Sequence, residues 1–275
     1  MQYAMKHRLA ALGVLAVCAG LGACALPPLD VAQRIAALLP ADAILLGEQH
    51  DAPEHQRLER AVVLDLVRRE QLAALAMEMA EQGRSTRGLS RDASEQEVQA
   101  ALQWSDAGWP WAHYGPVVMA AVRSGVPVVG ANLARNAMRA AMANTAFDIH
   151  LPASAFEQQR DNIRNGHCQL LPEGQITPMT RIQIARDAAM ATTIANAAQP
   201  GKTVLLVAGG GHVLRGIGVP THLPQTLRPQ VVLALAGRAD ATTRADVDAV
   251  WETAALPPVD HCAKLQQQQS RPVPR

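Results

Sequence analysis

The chain carries five short apolar runs, and the segments between them have the periodicity of helices. The runs are residues 43–46, 72–77, 126–131, 204–208 and 230–236. They are apolar at successive positions and do not alternate with polar residues, which is typical of strands in a parallel sheet that helices cover on both faces. We therefore predict an α/β fold with a mostly parallel β-sheet flanked by helices.

Helix start signals follow the first two runs. Asp51 to Glu54 has the spacing of a capping box with a proline in the first turn, and Ser94 with Glu97 forms a second box-like start. The residues at about 135–200 have a mostly helical pattern, so we predict a smaller helical insertion or cap over the sheet. Residues 24–265 then form a single α/β domain, and we predict a disordered tail at 266–275.

The first residues have the pattern of an export signal. Lys6 and Arg8 precede an apolar run too short to span a bilayer, and the small residues directly before Cys24 resemble a bacterial lipobox. We predict a signal peptide at 1–23 and lipidation of Cys24, with palmitate among its acyl chains. The alternative is an ordinary signal peptide in which the cysteine is incidental.

The residue after Cys24 indicates the cellular location of the protein, and the overall charge limits the classes of partner that it could bind. Ala25 stands where an inner-membrane retention signal carries Asp, so we expect an outer-membrane lipid anchor and a protein that faces the periplasm. Loss of Lys6 and Arg8 with the signal leaves 23 basic and 24 acidic residues out of the original 25 and 24. The chain has no basic stripe, and we expect no nucleic-acid partner.

Two cysteines remain once the N-terminal segment is accounted for. Cys18 leaves with the signal peptide and Cys24 carries lipid, which leaves Cys168 and Cys262 in an oxidising compartment. We predict a disulfide between them. A soft-metal site formed by Cys168 and His167 is the alternative.

Polar residues follow three of the apolar runs at their carboxyl ends. Glu48 and His50 follow the first run, Glu78 follows the second, and a glycine-rich turn leads from the fourth run to His212. If these runs are neighbouring parallel strands, the side chains meet at the edge where open α/β sheets bind ligands. Together with Asp187 they could bind a divalent metal or activate water, whereas singly each could stabilise a helix end or a loop.

Aromatic residues are concentrated in one short segment. Three of the 4 tryptophans lie at positions 104, 109 and 111, directly before His113 and Tyr114. Tyr114 is the only tyrosine after the predicted signal peptide. This segment suits a flat apolar ligand, with a phenol and an imidazole as polar contacts, and tyrosinate is an axial ligand of ferric haem. The alternative is an aromatic cluster that packs the helical cap onto the sheet.

Two common catalytic or nucleotide-binding patterns are missing from the sequence. No serine lies in a G-x-S-x-G setting, and Gly201-Lys202-Thr203 precedes its strand and lacks the upstream glycine of a P-loop. We therefore expect neither serine-hydrolase chemistry nor nucleotide binding.

Six short motifs follow one another in an order that matches a known family. They are Gly47-Glu48-Gln49-His50-Asp51, Met77-Glu78-Met79, Trp111-x-x-Tyr114-x-Pro116, Gly166-His167-Cys168, Gln183-x-x-Arg186-Asp187 and Ala208-Gly209-x-Gly211-His212. Over roughly residues 40–225 the chain resembles the ChaN-like family of haem-binding uptake lipoproteins. That family belongs to a wider group with Tiki-type metalloproteases and erythromycin-esterase-like enzymes.

The resemblance implies a parallel-sheet fold and haem binding in iron uptake, with a tyrosine on the haem iron and pairs of subunits that stack haems between them. Tyr114 matches the tyrosine role, Trp111 lies beside it, and His113 or His167 is the candidate assisting histidine. The implied partners are haem, a second copy of the chain and an outer-membrane haem receptor. We accordingly expect a binding protein rather than an enzyme.

The enzymatic relatives imply an alternative function. In it, the chain is a metal-dependent or Glu/His-dependent hydrolase, either a protease or an esterase. The candidate catalytic residues are Glu48, His50, Glu78 and His212, and the candidate metal ligands are these four with Asp187.

Overall fold

The computed structural model describes residues 30–269, and the compact unit begins at Val31. The predicted signal peptide at 1–23, the lipidation site Cys24 and positions 270–275 of the predicted tail lie outside the described residues. Within residues 30–269, none of the helices combines the length and the apolarity that a bilayer-spanning helix needs.

Six parallel strands form one sheet in the described part of the chain. They are β1 Ala43–Glu48, β2 Leu72–Glu81, β3 Val128–Asn132, β4 Thr203–Gly209, β5 Pro229–Ala236 and β6 Ala249–Thr253. The order across the sheet is β3-β2-β4-β1-β5-β6, and every neighbouring pair is parallel. The five apolar runs are therefore strands, as predicted, and the α/β class with a parallel sheet is confirmed.

Strand β6 was not predicted from the sequence. It is a five-residue edge strand in which Glu252 interrupts the apolar positions, so it lacks a continuous apolar run. Its placement depends on β5: the Asp248 backbone N–H donates to the Val231 carbonyl, and the Asp248 carboxylate accepts from the Val231 N–H. Trp251 is buried. The strand is thus specified by tertiary contacts to β5 and not by a local apolar pattern.

Ten helices and three short 3₁₀ segments occupy the rest of residues 30–269. The helices are α1 Val31–Leu38, α2 Pro53–Arg68, α3 Glu95–Leu102, α4 Trp111–Arg123, α5 Met138–Ala143, α6 Ala153–Gly166, α7 Glu173–Ala197, α8 Gly210–Val213, α9 Ala241–Ala245 and α10 His261–Gln269. The 3₁₀ segments are Arg135–Ala137, Thr145–Ile149 and Val219–His222. Helix α2 has the predicted proline in its first turn, but its N-cap is Ala52 and no side chain caps it, so the predicted box from Asp51 to Glu54 is not formed. Ser94 and Glu97 form a complete capping box before α3, as predicted.

Both faces of the sheet are covered by helices. On one face, Met190 and Ile194 of α7 pack into a single cluster with Leu45 of β1 and Leu206 of β4. Successive strand residues point to opposite faces, and Ile44, which faces the other way, is also fully buried. Helices α2 and α4 pack against each other and against β2. This double coverage explains why the strands are apolar at every position.

The predicted helical segment lies between β3 and β4, where the structure places α5, α6 and α7. Helix α7 contacts β2, β3 and β4 directly, and α5 and α6 pack on α7 rather than on the strands. A small apolar cluster that includes Ala141, Ile182 and Ala185 joins α5 to α7. The segment therefore contains one sheet-covering helix with a further layer on top of it, all within one compact unit.

The C-terminal segment is joined to this helical layer by a disulfide. Cys168, directly after α6, is bonded to Cys262 in the first turn of α10, with 5.5 Å between the two Cα atoms. This confirms the predicted pair. Helix α10 continues to Gln269, so positions 266–269 of the predicted tail are helical. Glutamine has a good helix propensity, and a covalently anchored first turn favours continuation of the helix.

We expect Cys262→Ser to lower the free energy of unfolding by about 2–4 kcal/mol, because the disulfide closes a loop with a sequence separation of 94 residues. Urea unfolding followed by far-UV circular dichroism measures the change. Reductant should destabilise the unsubstituted protein by a similar amount and leave Cys262→Ser unaffected. Equal stability of the two proteins under oxidising conditions would contradict a structural role for the bond.

Candidate functional site

Three neighbouring strands bring the predicted polar residues together. Strands β2, β4 and β1 lie side by side, and their carboxyl ends carry Glu78, Gly209 and Glu48. The Gly209 backbone N–H donates to Glu78 Oε2 at 2.7 Å. A side chain at Gly209 would place its Cβ 2.9 Å from His50 Nε2, so the glycine leaves room for the imidazole. The predicted meeting of these residues at one sheet edge is therefore what the structure shows.

Glu48 is the centre of the first part of the site. Its Oε1 lies 2.9 Å from His50 Nδ1 and accepts from the Tyr114 hydroxyl at 2.7 Å, while its Oε2 accepts from Gln56 Nε2 at 2.7 Å. Burial opposes ionisation of Glu48, but the hydrogen bond and charge of His50 and the hydrogen bond of Tyr114 hold its pKa below the usual range. Glu48 is thus a buried carboxylate with several donors around it.

His50 is the part of this network that reaches the solvent-accessible side. Its side chain is 39% exposed, and its ring lies edge-on to Trp109 with 4.8 Å between centroids. Burial lowers the pKa of His50, but the hydrogen bond to Glu48 and the charges of Glu78 and Glu48 raise it above the ordinary value overall. With Nδ1 held by Glu48, the imidazole has one defined orientation.

A second carboxyl, Glu59 on α2, was not identified from the sequence. It is buried, and neither of its oxygens has a hydrogen-bond partner. Burial and the neighbouring Glu48 raise the pKa of Glu59 well above its usual range, which disfavours its ionised form. Gln56, one helical turn earlier, was also missed, because a glutamine or glutamate on a helix is ordinarily a solvent-facing residue.

His212 forms the second part of the site. Its Nδ1 lies 2.5 Å from Asp187 Oδ1, and its Nε2 lies 3.5 Å from Glu78 Oε1. Burial disfavours the cation, but the charges of Glu78 and Asp187 raise the pKa of His212 to about 10. Despite its burial, Glu78 has a pKa lowered to about 2 by the charges of His212 and His50. His212 and Glu78 therefore form a buried ion pair.

Asp187 differs from Glu78 although it contacts the same imidazole. Burial raises the pKa of Asp187 to about 6, against the opposing charge of His212. Its Oδ2 is buried without a hydrogen-bond partner. Gln183, one turn earlier on α7, places its side-chain amide 3.2 Å from His212 Nε2. Asp187 therefore positions His212 from the α7 side of the site.

The predicted metal ligands are paired with one another in this arrangement. Across residues 30–269, no group of three or more His, Cys, Asp or Glu side chains is placed to hold a metal ion. The predicted ligand set consisted of Glu48, His50, Glu78, Asp187 and His212. In this arrangement His50 contacts Glu48 through Nδ1, and both ring nitrogens of His212 contact carboxylates.

Tyr114, the predicted haem ligand, is a buried residue beside Glu48. It lies in the first half of α4, only 1% exposed, and its hydroxyl donates to Glu48. Trp104 and Trp109 lie against it, with ring centroids 6.1 and 6.0 Å away. Burial and the charge of Glu48 raise the pKa of Tyr114, which opposes formation of the phenolate. The phenol here orders a buried carboxylate and does not face an open space.

The other predicted haem contacts also lie away from the cavity. His113 is exposed on α4, and His167 ends α6 with its Nδ1 2.8 Å from the Ile163 carbonyl. The Trp111 indole N–H donates to Glu95, and its ring packs edge-on to Trp104. Trp111 and His167 thus have local structural contacts, and the contacts of Trp111 agree with the alternative interpretation of the aromatic segment.

A cavity of about 890 Å³ opens over the strand ends. His50, Glu78 and His212 form its polar floor, and Trp109 is its aromatic wall. The remaining lining residues come from β2, from the segments around α3 and β3, and from the α5–α7 layer. They are Met79, Ala80, Glu81, Gln103, Ser105, Asn132, Leu133, Arg135, Met138, Gly166 and Arg186.

Fold and site together define an all-parallel α/β protein in which ionisable side chains from adjacent strand ends line a single large cavity. The chain belongs to the family described as haem-binding uptake, Tiki superfamily, ChaN, whose model matches residues 34–223, more than half of its length. This confirms the resemblance found in the sequence motifs.

A similar solved structure is that of ChaN of Campylobacter jejuni, which shows cofacial heme binding. The two chains are 26% identical with a TM-score of 0.65, over 79% of this chain and 89% of the other. None of the curated proteins matches the chain.

We expect the free energy of unfolding to fall as the pH rises from about 6.5 toward 10, the interval between the ordinary and the folded-state pKa of His212. In that interval the folded chain holds a proton on His212 that the unfolded chain has lost, so alkali favours unfolding. His50 contributes with the same sign. Urea unfolding at a series of pH values measures the slope.

In Asp187→Asn, one of the two anions that raise the pKa of His212 is gone, so the loss of stability should be smaller and should end at a lower pH. A free energy of unfolding that is constant between pH 7 and 10 in the unsubstituted protein would contradict the buried cation.

Proposed function

We propose that this protein binds haem and that the cavity at the carboxyl edge of the sheet is the binding site. The family match supports the ligand class, and it covers the whole network from Glu48 to His212. The observation that carries the proposal is a cavity of about 890 Å³ with a partly exposed, oriented imidazole on its floor. Cofactor sites generally have volumes of about 300–1,000 Å³, so the space suits a macrocycle.

The walls of the cavity have the chemistry that a porphyrin needs. Trp109, Met79, Leu133 and Met138 offer aromatic, thioether and aliphatic surface for its faces. Thioether side chains are polarisable and adapt to an irregular ligand, and an indole ring stacks well on a flat one. The apolar wall lies beside the polar floor, which matches a ligand with an apolar ring and a central metal ion.

His50 is the residue that would hold the haem iron. Its Nδ1 faces Glu48 at 2.9 Å, which leaves Nε2 as the nitrogen available to a ligand. A metal-binding histidine commonly has its second ring nitrogen on a carboxylate, which fixes the tautomer and strengthens the donor. The hydroxyl of Tyr114, by contrast, is buried against the same carboxylate. Haem iron bound there would supply a Lewis-acid centre for this imidazole nitrogen.

The biological setting we propose is uptake of haem for its iron. The chain would be a lipoprotein, acylated at Cys24 after removal of residues 1–23, on the periplasmic side of the outer membrane. A haem receptor in that membrane would be its partner. Cofacial heme binding in the Campylobacter jejuni protein supports a homodimer that forms with haem, in which two ligands face each other.

We expect His50→Gly to weaken haem binding by about tenfold or more, because it removes the coordinating nitrogen. Absorbance titration of the purified protein with ferric haem measures affinity and the Soret band. Added imidazole should restore the Soret spectrum in this variant, since the vacated space is next to the cavity. Failure of imidazole to restore it would contradict coordination by His50.

The matched comparison is Tyr114→Phe, which removes only a hydroxyl. It should retain the haem spectrum and affinity and lose about 1 kcal/mol of stability, because Glu48 loses one donor. Size-exclusion chromatography with and without haem tests the dimer in the same samples. If Tyr114→Phe abolishes the haem spectrum while His50→Gly keeps it, the phenol and not the imidazole is the ligand.

A second candidate function, hydrolysis, follows from the contact between His50 and Glu48. An imidazole oriented by a carboxylate is the arrangement of a general base, and Nε2 would take the proton from a water in the cavity. Glu78 and His212 beside it supply fixed charge. Metal-dependent and metal-free versions of this function differ in whether added divalent ions raise the rate.

Hydrolysis of an activated ester or a peptide by the purified protein tests this function, with His50→Gln as the comparison. The hydrolase account predicts a rate that falls by about 10²–10⁴-fold in the variant, the usual contribution of a general base. It also predicts inhibition by haem, because both would use the same cavity. A rate equal to that of His50→Gln, with and without divalent metal, would rule it out.

A further inference from the structure

One cation in the cavity wall has no partner in the described part of the chain. Arg186 lies on α7 directly before Asp187 and lines the cavity. Its Nε is buried without a hydrogen-bond acceptor, and within residues 30–269 its guanidinium makes no ion pair. Most buried polar groups in proteins have a hydrogen-bond partner. An arginine that lines a cavity and has a buried nitrogen without an acceptor is therefore a candidate to bind a ligand.

The nearby acids contact other groups and form no ion pair with Arg186, although one oxygen of Asp187 has no hydrogen-bond partner. Glu78 is paired with His212 and with the Gly209 N–H, and Asp187 Oδ1 is held by the same imidazole. The charge of Arg186 lowers the pKa of Asp187, but the two side chains form no ion pair. The cavity therefore contains a positive group that none of its own carboxylates neutralises.

A second arginine lines the same cavity. Arg135, in the 3₁₀ segment after β3, is 78% exposed, and its Nε lies 3.8 Å from Glu81 Oε1. This is a loose pair in water, which contributes little and can be exchanged for another acceptor. Two guanidinium groups, one half-buried and one exposed, thus border a cavity that also has apolar wall residues such as Met79, Leu133 and Met138.

We propose that Arg186 binds a carboxylate of the ligand in this cavity, with Arg135 as the weaker outer contact. A planar guanidinium with several N–H donors matches a carboxylate geometrically, and charge-assisted hydrogen bonds are stronger than neutral ones. The inference depends on the proposed haem binding: haem carries two propionate groups on one edge of its ring. Arg186 then fixes the orientation of the macrocycle, with its propionate edge toward α7.

The test compares haem with haem dimethyl ester, in which both carboxylates are masked. Absorbance titrations use the unsubstituted protein and Arg186→Met, which keeps a long apolar stem without charge. Arg139→Met is the matched control, because Arg139 is exposed on α5 and does not line the cavity. Thermal unfolding of each variant reports on its fold.

We expect Arg186→Met to weaken haem binding by about tenfold and to change ester binding by less than about twofold, the effect of losing one charge-assisted hydrogen bond. Arg139→Met should bind both ligands as the unsubstituted protein does. Arg186→Lys should restore part of the haem affinity, because it returns the charge without the planar fork.

Three possible results would contradict the inference, and they show whether haem binding or the role of Arg186 is wrong. If the unsubstituted protein binds neither haem nor the ester, the proposed function itself fails and the inference with it. If haem binds equally well with Arg186→Met, haem binding stands and the role of Arg186 is wrong. If Arg186→Met weakens haem and the ester to the same extent, the arginine shapes the cavity and does not recognise a carboxylate, which also overturns the inference.

Discussion

The site depends on a buried carboxylate, Glu48, at the end of the central strand β1. A carboxylate in this position is costly unless donors surround it, and here His50, Tyr114 and Gln56 supply them. Each of these residues comes from a different segment, so one ionised group determines how three parts of the chain approach each other. It also sets the tautomer of His50, and with it which ring nitrogen faces the cavity.

Oppositely charged side chains are also paired at the ends of the two neighbouring strands, β4 and β2. The imidazole of His212 lies between Glu78 and Asp187, while burial and the charge of Glu48 raise the pKa of Glu59. The acids therefore differ in pKa according to whether a donor reaches them. Among the described residues that line the cavity, only Arg186 has a guanidinium without an internal acceptor. This difference separates a charge that can bind a ligand from charges that stabilise the fold.

Much of the fold was predictable because its strands carry a strong local signal. Continuous apolar runs identified β1 to β5, and their polar ends predicted the meeting of Glu48, Glu78 and His212 at one edge. Strand β6 was missed because it is short and interrupted by Glu252, and its position depends on hydrogen bonds to β5. The Cys168–Cys262 bond followed from counting cysteines in the expected compartment.

The environment of the Tyr114 side chain could not be predicted from the local sequence. Its neighbours in sequence predict an aromatic surface, yet whether a phenol is exposed or buried depends on how α4 packs on α2, a contact distant in the chain. Glu59 and Gln56 were missed for a related reason: helical periodicity does not reveal that the strand beside them ends in a carboxylate. Side-chain roles at such a site are set by tertiary contacts, whereas the strand ends that gather them are set locally.

The central claim is that the imidazole of His50, held by Glu48, and not the buried phenol of Tyr114, faces the ligand. Resonance Raman spectroscopy of the ferric haem complex of the unsubstituted protein tests it most directly, because iron-bound phenolate has vibrational bands of its own. The account predicts a nitrogen-ligated spectrum without phenolate bands. Phenolate bands that disappear in Tyr114→Phe would contradict it and would require α4 to open in the bound state.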